Sequence, residues 1–284
     1  MYGCRLGLEV HADFGMPLDR QVGLFKEIGF DSFFTYWKRG LDVSALRKAA
    51  DESGMLFQSI HAPSTRVCDM WYQTDETEDV LSELLECLRD CAKFSVPIMV
   101  SHAFCGFDRH EPTELGFKNF DILIAEAKRL GVKIALENTE GEEYLLALLE
   151  RYKDEPIVGF CWDSGHEMCY THYDLLGLPN HGSKLFATHL NDNLGTWAAD
   201  GDRTGRDDLH LLPFDGAIDW KDVAARLVRW EFDDVLTFEL KRLSQPGRHE
   251  NDGYTRMDIM DYLTQAYMRC CRVAALYMAE KNRK

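Results

Sequence analysis

The sequence lacks the features that define several large protein classes. Residues 1–15 contain no apolar core of a secretory signal peptide, and no run of about 18 uninterrupted apolar residues predicts a membrane span. Neither a Gly-x-Gly-x-x-Gly motif nor a P-loop is present, which argues against a nucleotide-binding sheet. No proline- or serine-rich linker divides the chain. We therefore expect one cytoplasmic domain over residues 1–284, with no membrane partner.

Positive charge is also scarce. Lys and Arg number 32 against 48 Asp and Glu, which gives a formal net charge of −16. Because proteins bind phosphodiester backbones largely through Lys and Arg, this balance argues against a nucleic-acid partner and favours a small molecule. The nine cysteines form no Cys-x-x-Cys pair, so we interpret them as reduced thiols in the core.

What the chain does contain is a repeated alternation of short apolar runs and longer amphipathic stretches. Each run is short and apolar enough for a strand buried on both faces. The eight runs are residues 4–10, 30–36, 56–62, 97–103, 132–138, 157–163, 184–190 and 234–240. Helical patterns occupy residues 18–30, 41–55, 76–94, 113–130, 144–152, 220–230 and 257–280, and a less regular helix is expected within residues 164–183.

This alternation predicts an α/β fold, a (β/α)₈ TIM barrel, with a doubly wound open sheet as the competing arrangement. The last helix is expected to pack on the barrel, although it could also form the contact of a homo-oligomer.

Ionisable side chains stand where most of the apolar runs end. They are Glu9, His11, His61, His102, Glu137, Asp163, His166, His189 and Glu239. One such residue could simply cap the following helix, but a barrel closes all these strand ends into one ring, where its chemistry lies. Crowded carboxylates raise each other's pKa, and a divalent cation removes that repulsion. The mixture of oxygen and nitrogen ligands suits Mn²⁺, Zn²⁺, Co²⁺ or Mg²⁺.

At these residues the sequence resembles the xylose isomerase-like superfamily of sugar and sugar-phosphate isomerases and epimerases, over essentially the whole chain. The segments that carry the resemblance are ALEN around Glu137, WDSGH at residues 162–166, THLNDN from His189 and HLLPFDGAIDW from His210. The last segment departs from the family pattern, because Phe214 stands where a glycine is common.

The resemblance implies a catalytic metal and a pair of catalytic glutamates. Its metal ligands would be Glu137, Asp163, His189 and Glu239. In members that interconvert ketoses, the two ligating glutamates also move the substrate proton, and the histidine that matches His166 contacts a substrate oxygen. Some epimerases carry an arginine shortly after the metal-binding histidine, but this chain has Gly195 and Thr196 there, which weakens a specific ketose-epimerase assignment.

A second branch of the superfamily comprises abasic-site endonucleases related to endonuclease IV, which bind three zinc ions. The additional ligands of that branch match His61, His102, His166, Asp208 and His210. These histidines are otherwise expected to bind substrate or to orient the ligands. Trp71, in the loop after the third run, could form an apolar wall over a sugar or could pack the loop.

Together these features predict a metal-dependent isomerase or epimerase that acts on a small sugar-like carbonyl compound by proton abstraction and an enediolate. Two alternatives remain open at this point. One is a phosphodiester hydrolase of the abasic-site type, and the other is a degenerate barrel that only binds a sugar.

Overall fold

The computed structural model describes residues 4–108, 111–170, 184–196 and 204–283. Eight parallel strands form its centre. They are β1 (Leu6–Val10), β2 (Ser32–Tyr36), β3 (Leu56–His61), β4 (Ile98–His102), β5 (Lys133–Glu137), β6 (Val158–Asp163), β7 (Leu185–His189) and β8 (Leu236–Phe238). All eight lie within the apolar runs predicted from the sequence.

The strand order shows that the sheet curls into a barrel. Neighbouring strands follow the chain from β1 to β7, and β8 pairs with β1 in parallel. Between β7 and β8 a parallel bridge joins Leu190 to Phe238, where the Leu190 N–H donates to the Thr237 carbonyl oxygen at 2.8 Å. The predicted TIM barrel is therefore confirmed in a nearly closed form, and the open doubly wound sheet is wrong.

Helices connect the strands. They are α1 (Leu18–Ile28), α2 (Val43–Ser53), α3 (Thr77–Lys93), α4 (Glu114–Leu130), α5 (Glu142–Arg151), α6 (Ser164–Cys169), α7 (Trp220–Arg229), α8 (Asp252–Thr255) and α9 (Ile259–Lys281). Only residues 164–169 of the predicted 164–183 segment are seen as helix, and residues 171–183 lie outside the described part of the chain. Within the described ranges, no helix combines the length and apolarity that crossing a membrane requires.

Side-chain alternation along the strands explains why ionisable groups gather at one end of the barrel. Ile98, Val100, Ala135, Cys161 and Ala187 pack together inside it, separately from the larger core between strands and helices. Successive residues of a strand point to opposite faces, so the residue two positions further on also points inward. Those next inward positions hold His102, Glu137, Asp163 and His189.

Asp192, just beyond β7, anchors the loop that precedes α7. Its carboxylate accepts hydrogen bonds from the Phe214 N–H at 2.8 Å, the Ile218 N–H at 3.1 Å and the Trp220 indole N–H at 2.8 Å. A Cβ on Gly216 would lie 2.2 Å from Asp192 Oδ1, so only glycine fits there. The same buried carboxylate therefore fixes the loop that begins at His210.

Phe214, the departure from the family pattern, adopts the left-handed conformation that favours glycine, with φ of 75°. Its ring packs 5.8 Å from that of Trp220, and the Arg272 guanidinium lies 3.8 Å from the ring centroid. These contacts, together with the Asp192 hydrogen bond, hold phenylalanine in a backbone conformation that glycine would adopt without strain.

We predict that Asp192→Ala lowers the free energy of unfolding by roughly 3 kcal/mol or more, because several buried donors lose a charged acceptor at once. Urea denaturation measures this change. Asp75→Ala, in an exposed loop, serves as the control and should change stability by less than about 0.5 kcal/mol. Equal stabilities of the two variants would contradict the anchoring role of Asp192.

Candidate metal centre

Four side chains from four strand ends converge at the mouth of the barrel. One ligand atom from each of Glu137, Asp163, His189 and Glu239 lies within 4.8 Å of the others. His189 Nδ1 is 2.9 Å from Glu137 Oε1 and 2.9 Å from Glu239 Oε2. All four residues are at most 1% exposed. The residues predicted as metal ligands thus form one compact, buried group, which is a candidate metal site.

Asp163 is held in place from both sides. Its Oδ1 accepts the His166 N–H at 2.7 Å and so caps α6, while its Oδ2 accepts the Asn191 side-chain N–H at 2.8 Å. The Asn138 side chain bonds both the N–H and the carbonyl oxygen of Asp163, each at 2.8 Å. A Cβ on Gly165 would lie 1.9 Å from Asn191 Oδ1, so the close approach requires glycine.

Two aromatic side chains of β2 support the centre, and sequence analysis missed both. The Tyr36 hydroxyl donates to Glu239 Oε1 at 2.9 Å, and its ring stacks on His61 with centroids 4.0 Å apart. Phe34 stacks on His189 at 4.4 Å. The available signal was period-two spacing in the second apolar run, which places both rings on the inward face. Asn138 and Asn191 were also missed, although each lies within two residues of a candidate ligand.

Three further histidines share one pattern of hydrogen bonding. Each directs Nδ1 at a backbone carbonyl: His61 at Ala62 (2.7 Å), His166 at Asn138 (3.0 Å) and His210 at Glu239 (3.3 Å). A carbonyl oxygen can only accept, so Nδ1 carries the proton in all three rings. In a neutral ring Nε2 then offers its lone pair, and a backbone partner of this kind is typical of histidines that bind metals.

These Nε2 atoms face carboxylates. His61 Nε2 lies 2.9 Å from Glu137 Oε2, His210 Nε2 lies 2.8 Å from Asp208 Oδ2, and His166 Nε2 lies 3.3 Å from Asp208 Oδ1. Besides the first group, the described residues form three further sets with ligand atoms within 4.8 Å. These are His61 with His102 and Glu137, His166 with Asp208 and His210, and Glu137 with His189 and Cys161, where burial raises the pKa of the thiol.

Burial and the surrounding charges pull the carboxylate pKa values in different directions. Burial alone would raise the pKa of Glu137, but His189, His102 and His61 hold it well below its usual range. Glu239 behaves similarly: burial is outweighed by His210 and His189, and its pKa is lowered. Burial raises the pKa of Asp163 to about 6, although His166 opposes the shift. Both glutamates therefore stay ionised near neutral pH.

The donor set fits a divalent cation. In its neutral form, His61 directs the lone pair of Nε2 at a carboxylate oxygen of Glu137. Both atoms are then acceptors, so either a proton or a cation must lie between them. Burial lowers the pKa of His61 despite Glu137, so that the proton is bound weakly. A cation satisfies both atoms without that cost.

The structure decides between the two interpretations of Trp71, in favour of loop packing. Its side chain is fully buried, the indole N–H donates to the Ala103 carbonyl oxygen at 2.7 Å, and its ring packs against Phe120 and Tyr144. A Cβ on Gly116 would lie 1.9 Å from this ring. Trp71 thus packs the loop against α4 and does not form a wall over the mouth.

Glu9 differs from the other carboxylates at the barrel mouth. It is 1% exposed, and neither of its carboxylate oxygens has a hydrogen-bond partner within the described part of the chain. The imidazole of His11 approaches it without a hydrogen bond, with Nε2 3.8 Å from Glu9 Oε1. Burial raises the pKa of Glu9 from 4.5 to about 7, against the effect of His11.

Comparison with known proteins identifies the family. The family model for the xylose isomerase-like TIM barrel matches residues 22–259. The chain belongs to this family. Its likeness to a curated protein of Sinorhizobium fredii (strain NBRC 101917 / NGR234), the uncharacterized protein y4fM, amounts to 28% identity over 257 residues, covering 77% of this chain and 79% of that protein.

Solved structures show the same fold at low sequence identity. The IOLI protein with a binding zinc atom aligns with a TM-score of 0.74 and 17% identity, covering 96% of this chain and 99% of that one. L-ribulose 3-epimerase aligns with a TM-score of 0.70 and 14% identity, covering 99% and 96%. 3-Keto-D-glucoside 4-epimerase YcjR of E. coli aligns with a TM-score of 0.65 and 16% identity, covering 92% of this chain and 98% of that one.

The raised pKa of Glu9 predicts how stability depends on pH in the metal-free protein. The folded state holds the Glu9 proton more tightly than the unfolded chain does, so this residue destabilises the fold as pH rises from 4.5 towards 7. We expect the stability of Glu9→Gln relative to the parent to increase over that interval, by up to about 3 kcal/mol.

Urea denaturation across this pH range, with a chelator present, measures the difference. Asp42→Asn is the control: the hydrogen bond from Ser44 lowers the pKa of Asp42, so this carboxyl is ionised in both the folded and the unfolded state above pH 4.5, and its substitution should leave the pH dependence between 4.5 and 7 parallel to that of the parent. A Glu9→Gln curve parallel to that of the parent would contradict the prediction.

Proposed function

We propose that the protein is a metal-dependent isomerase or epimerase of a small sugar or sugar-like polyol that carries a carbonyl group. The observation that carries this proposal is the placement of Glu137 and Glu239, each 2.9 Å from the same nitrogen of His189. Two ionised carboxylates on either side of one candidate metal position are what proton removal and return on opposite faces of a substrate carbon require.

Glu137, Asp163, His189 and Glu239 would hold the cation, for which Mn²⁺, Zn²⁺, Co²⁺ and Mg²⁺ are all suitable. When bound, such an ion polarises a substrate carbonyl and acidifies the adjacent C–H.

One glutamate would then remove the α-proton to give an enediolate, and the other would supply a proton on the opposite side. The Tyr36 hydroxyl donates to Glu239 Oε1 and so fixes the orientation of that carboxylate. His166 stands at the edge of the centre, where it would contact a substrate oxygen.

The structural neighbours support this choice of reaction. They include enzymes named L-ribulose 3-epimerase, 3-keto-D-glucoside 4-epimerase and D-allulose 3-epimerase. These names describe different carbohydrate substrates on one fold, so they favour the reaction class and leave the substrate to be found. A fold does not by itself specify function, and the paired glutamates supply the chemical argument.

We predict that Glu239→Gln and Glu137→Gln each reduce the exchange of substrate α-protons by roughly 10²–10⁴-fold, because an amide cannot act as a general base. Exchange from deuterated water into D-fructose, D-allulose and L-ribulose is followed by NMR, with the protein loaded with Mn²⁺, Zn²⁺, Co²⁺ or Mg²⁺ in turn.

Glu140→Gln is the control, because Glu140 lies three residues beyond Glu137 and its carboxylate accepts the Gly106 N–H. Full exchange activity in Glu239→Gln would remove this residue from the catalytic role. Tight metal binding without exchange of any α-proton would favour the degenerate sugar-binding barrel.

A second candidate function is metal-dependent hydrolysis of phosphodiesters. Three of the ligand groups at the mouth contain only carboxylates and imidazoles, and two of these share Glu137; this arrangement favours the hydrolase specifically. Three divalent cations would also reverse the sign of this acidic mouth and make it attractive to a phosphate group. The excess of acidic over basic residues in the whole chain disfavours a nucleic-acid substrate.

Metal content separates the two candidates. The isomerase proposal predicts about one tightly bound divalent ion per chain, and the hydrolase alternative predicts about three, as measured by elemental analysis of the purified protein. Under the hydrolase alternative, Asp208→Asn should remove one of the three ions. The ions bound by the groups that contain Glu137 should remain. If the parent and Asp208→Asn both bind one ion per chain, the group formed by His166, Asp208 and His210 does not bind a metal tightly.

A further inference from the structure

Glu9 lies on the same inward face as the metal ligands. Gly7, two residues before it, packs against Thr237, since a Cβ on Gly7 would lie 3.0 Å from Thr237 Oγ1. The register of β1 with β8 pairs Gly7 with Thr237 and Leu8 with Phe238. One step further along both strands, Glu9 lies beside Glu239 at the mouth.

The two neighbouring glutamates differ in their hydrogen bonding. Glu239 accepts the Tyr36 hydroxyl through Oε1, and its Oε2 accepts no hydrogen bond from the described part of the chain but lies 2.9 Å from His189 Nδ1. Both oxygens of Glu9, in contrast, are buried without a hydrogen-bond partner among the described residues. A buried carboxylate without donors costs stability, so a purely structural role does not account for it. Its free acceptors are available to donors that arrive with a ligand.

The charge around Glu9 indicates which donors those are. Glu9, Glu137, Asp163, Asp208 and Glu239 supply five carboxylates. Lys241 is the ammonium that acts on Glu9, but its Nζ already lies 3.8 Å from Asp208 Oδ2. A phosphate monoester carries about two negative charges of its own at neutral pH, so the carboxylates of Glu9 and Glu239 oppose its approach to this side of the mouth.

We propose that Glu9 is a specificity-determining residue, which accepts hydrogen bonds from substrate hydroxyl groups and selects uncharged polyol carbonyl compounds over their phosphate esters. This inference rests on the proposed function, because it concerns the same mouth and assumes one bound divalent ion. The two free oxygens of Glu9 can bind a pair of adjacent hydroxyls, which is a feature that every small sugar offers. A phosphate group would bring more negative charge and no donor.

Binding measurements test this inference independently of turnover. The metal-loaded protein is titrated by calorimetry with D-fructose, D-allulose and L-ribulose, and with D-fructose 6-phosphate as the charged counterpart. We expect at least one uncharged compound to bind, and D-fructose 6-phosphate to bind more weakly than D-fructose. Glu9→Gln should weaken binding of the uncharged ligand by roughly tenfold, since a hydrogen bond to a charged acceptor is lost.

The phosphate ester provides a readout that a merely structural role would not change. Glu9→Gln removes one negative charge, so the affinity for D-fructose 6-phosphate should rise while that for the uncharged ligand falls. Asp13→Asn makes the same charge change on the same segment, but its carboxylate is already paired with His11 at 3.1 Å. This control should leave the affinity for the uncharged ligand unchanged.

The possible outcomes separate the two proposals. Binding of an uncharged polyol that weakens in Glu9→Gln, without α-proton exchange in the parent, would support the role of Glu9 and overturn the isomerase proposal. If the parent exchanges substrate α-protons, and the parent and Glu9→Gln bind the uncharged ligand with equal affinity, only the proposed role of Glu9 is overturned. Tighter binding of the phosphate ester than of its parent sugar, or no binding of any uncharged compound, would also overturn it.

Discussion

The structure depends above all on the electrostatic cost of placing several carboxylates at one end of a barrel, out of contact with water. The inward faces of parallel strands leave no freedom to point these side chains elsewhere, because residues two apart must share a face. Glu137 and Glu239 remain ionised only because imidazoles surround them, while burial dominates at Glu9 and Asp163. Positive charge supplied from outside is the direct way to relieve the remaining repulsion.

Several of the hydrogen bonds that support the centre involve the backbone of the strand ends. Asn138 and Asn191 join the ends of β5, β6 and β7 through hydrogen bonds to Asp163. The histidine rings are oriented by the carbonyl oxygens of Ala62 and Asn138. Because these partners belong to the strand ends themselves, the geometry of the centre is tied to the barrel rather than to mobile side chains.

The sequence was enough to predict the strands, because each apolar run is short and bounded by an amphipathic stretch. Barrel closure followed from the number of runs. The strand ends marked nine ionisable side chains, and the resemblance to the family singled out four of them as metal ligands. Tyr36 could not be assigned, since its partner Glu239 is 203 residues away and nothing local marks the contact. The packing of Trp71 depends on the close approach of Gly116, which is likewise a tertiary contact. The absence of partners around Glu9 is visible only when the neighbouring strands are in place.

Glu137 contributes to three of the four ligand groups among the described residues, with Oε1 near His189 and Oε2 near His61. A shared carboxylate makes occupancy of the two positions interdependent. The first cation to arrive takes up much of the charge of this bridging group, so a second cation meets a weaker ligand as well as a positive neighbour. The cations would then bind one after the other, each with lower affinity than the one before. The activity of purified protein would depend on the metal concentration to which it had been exposed.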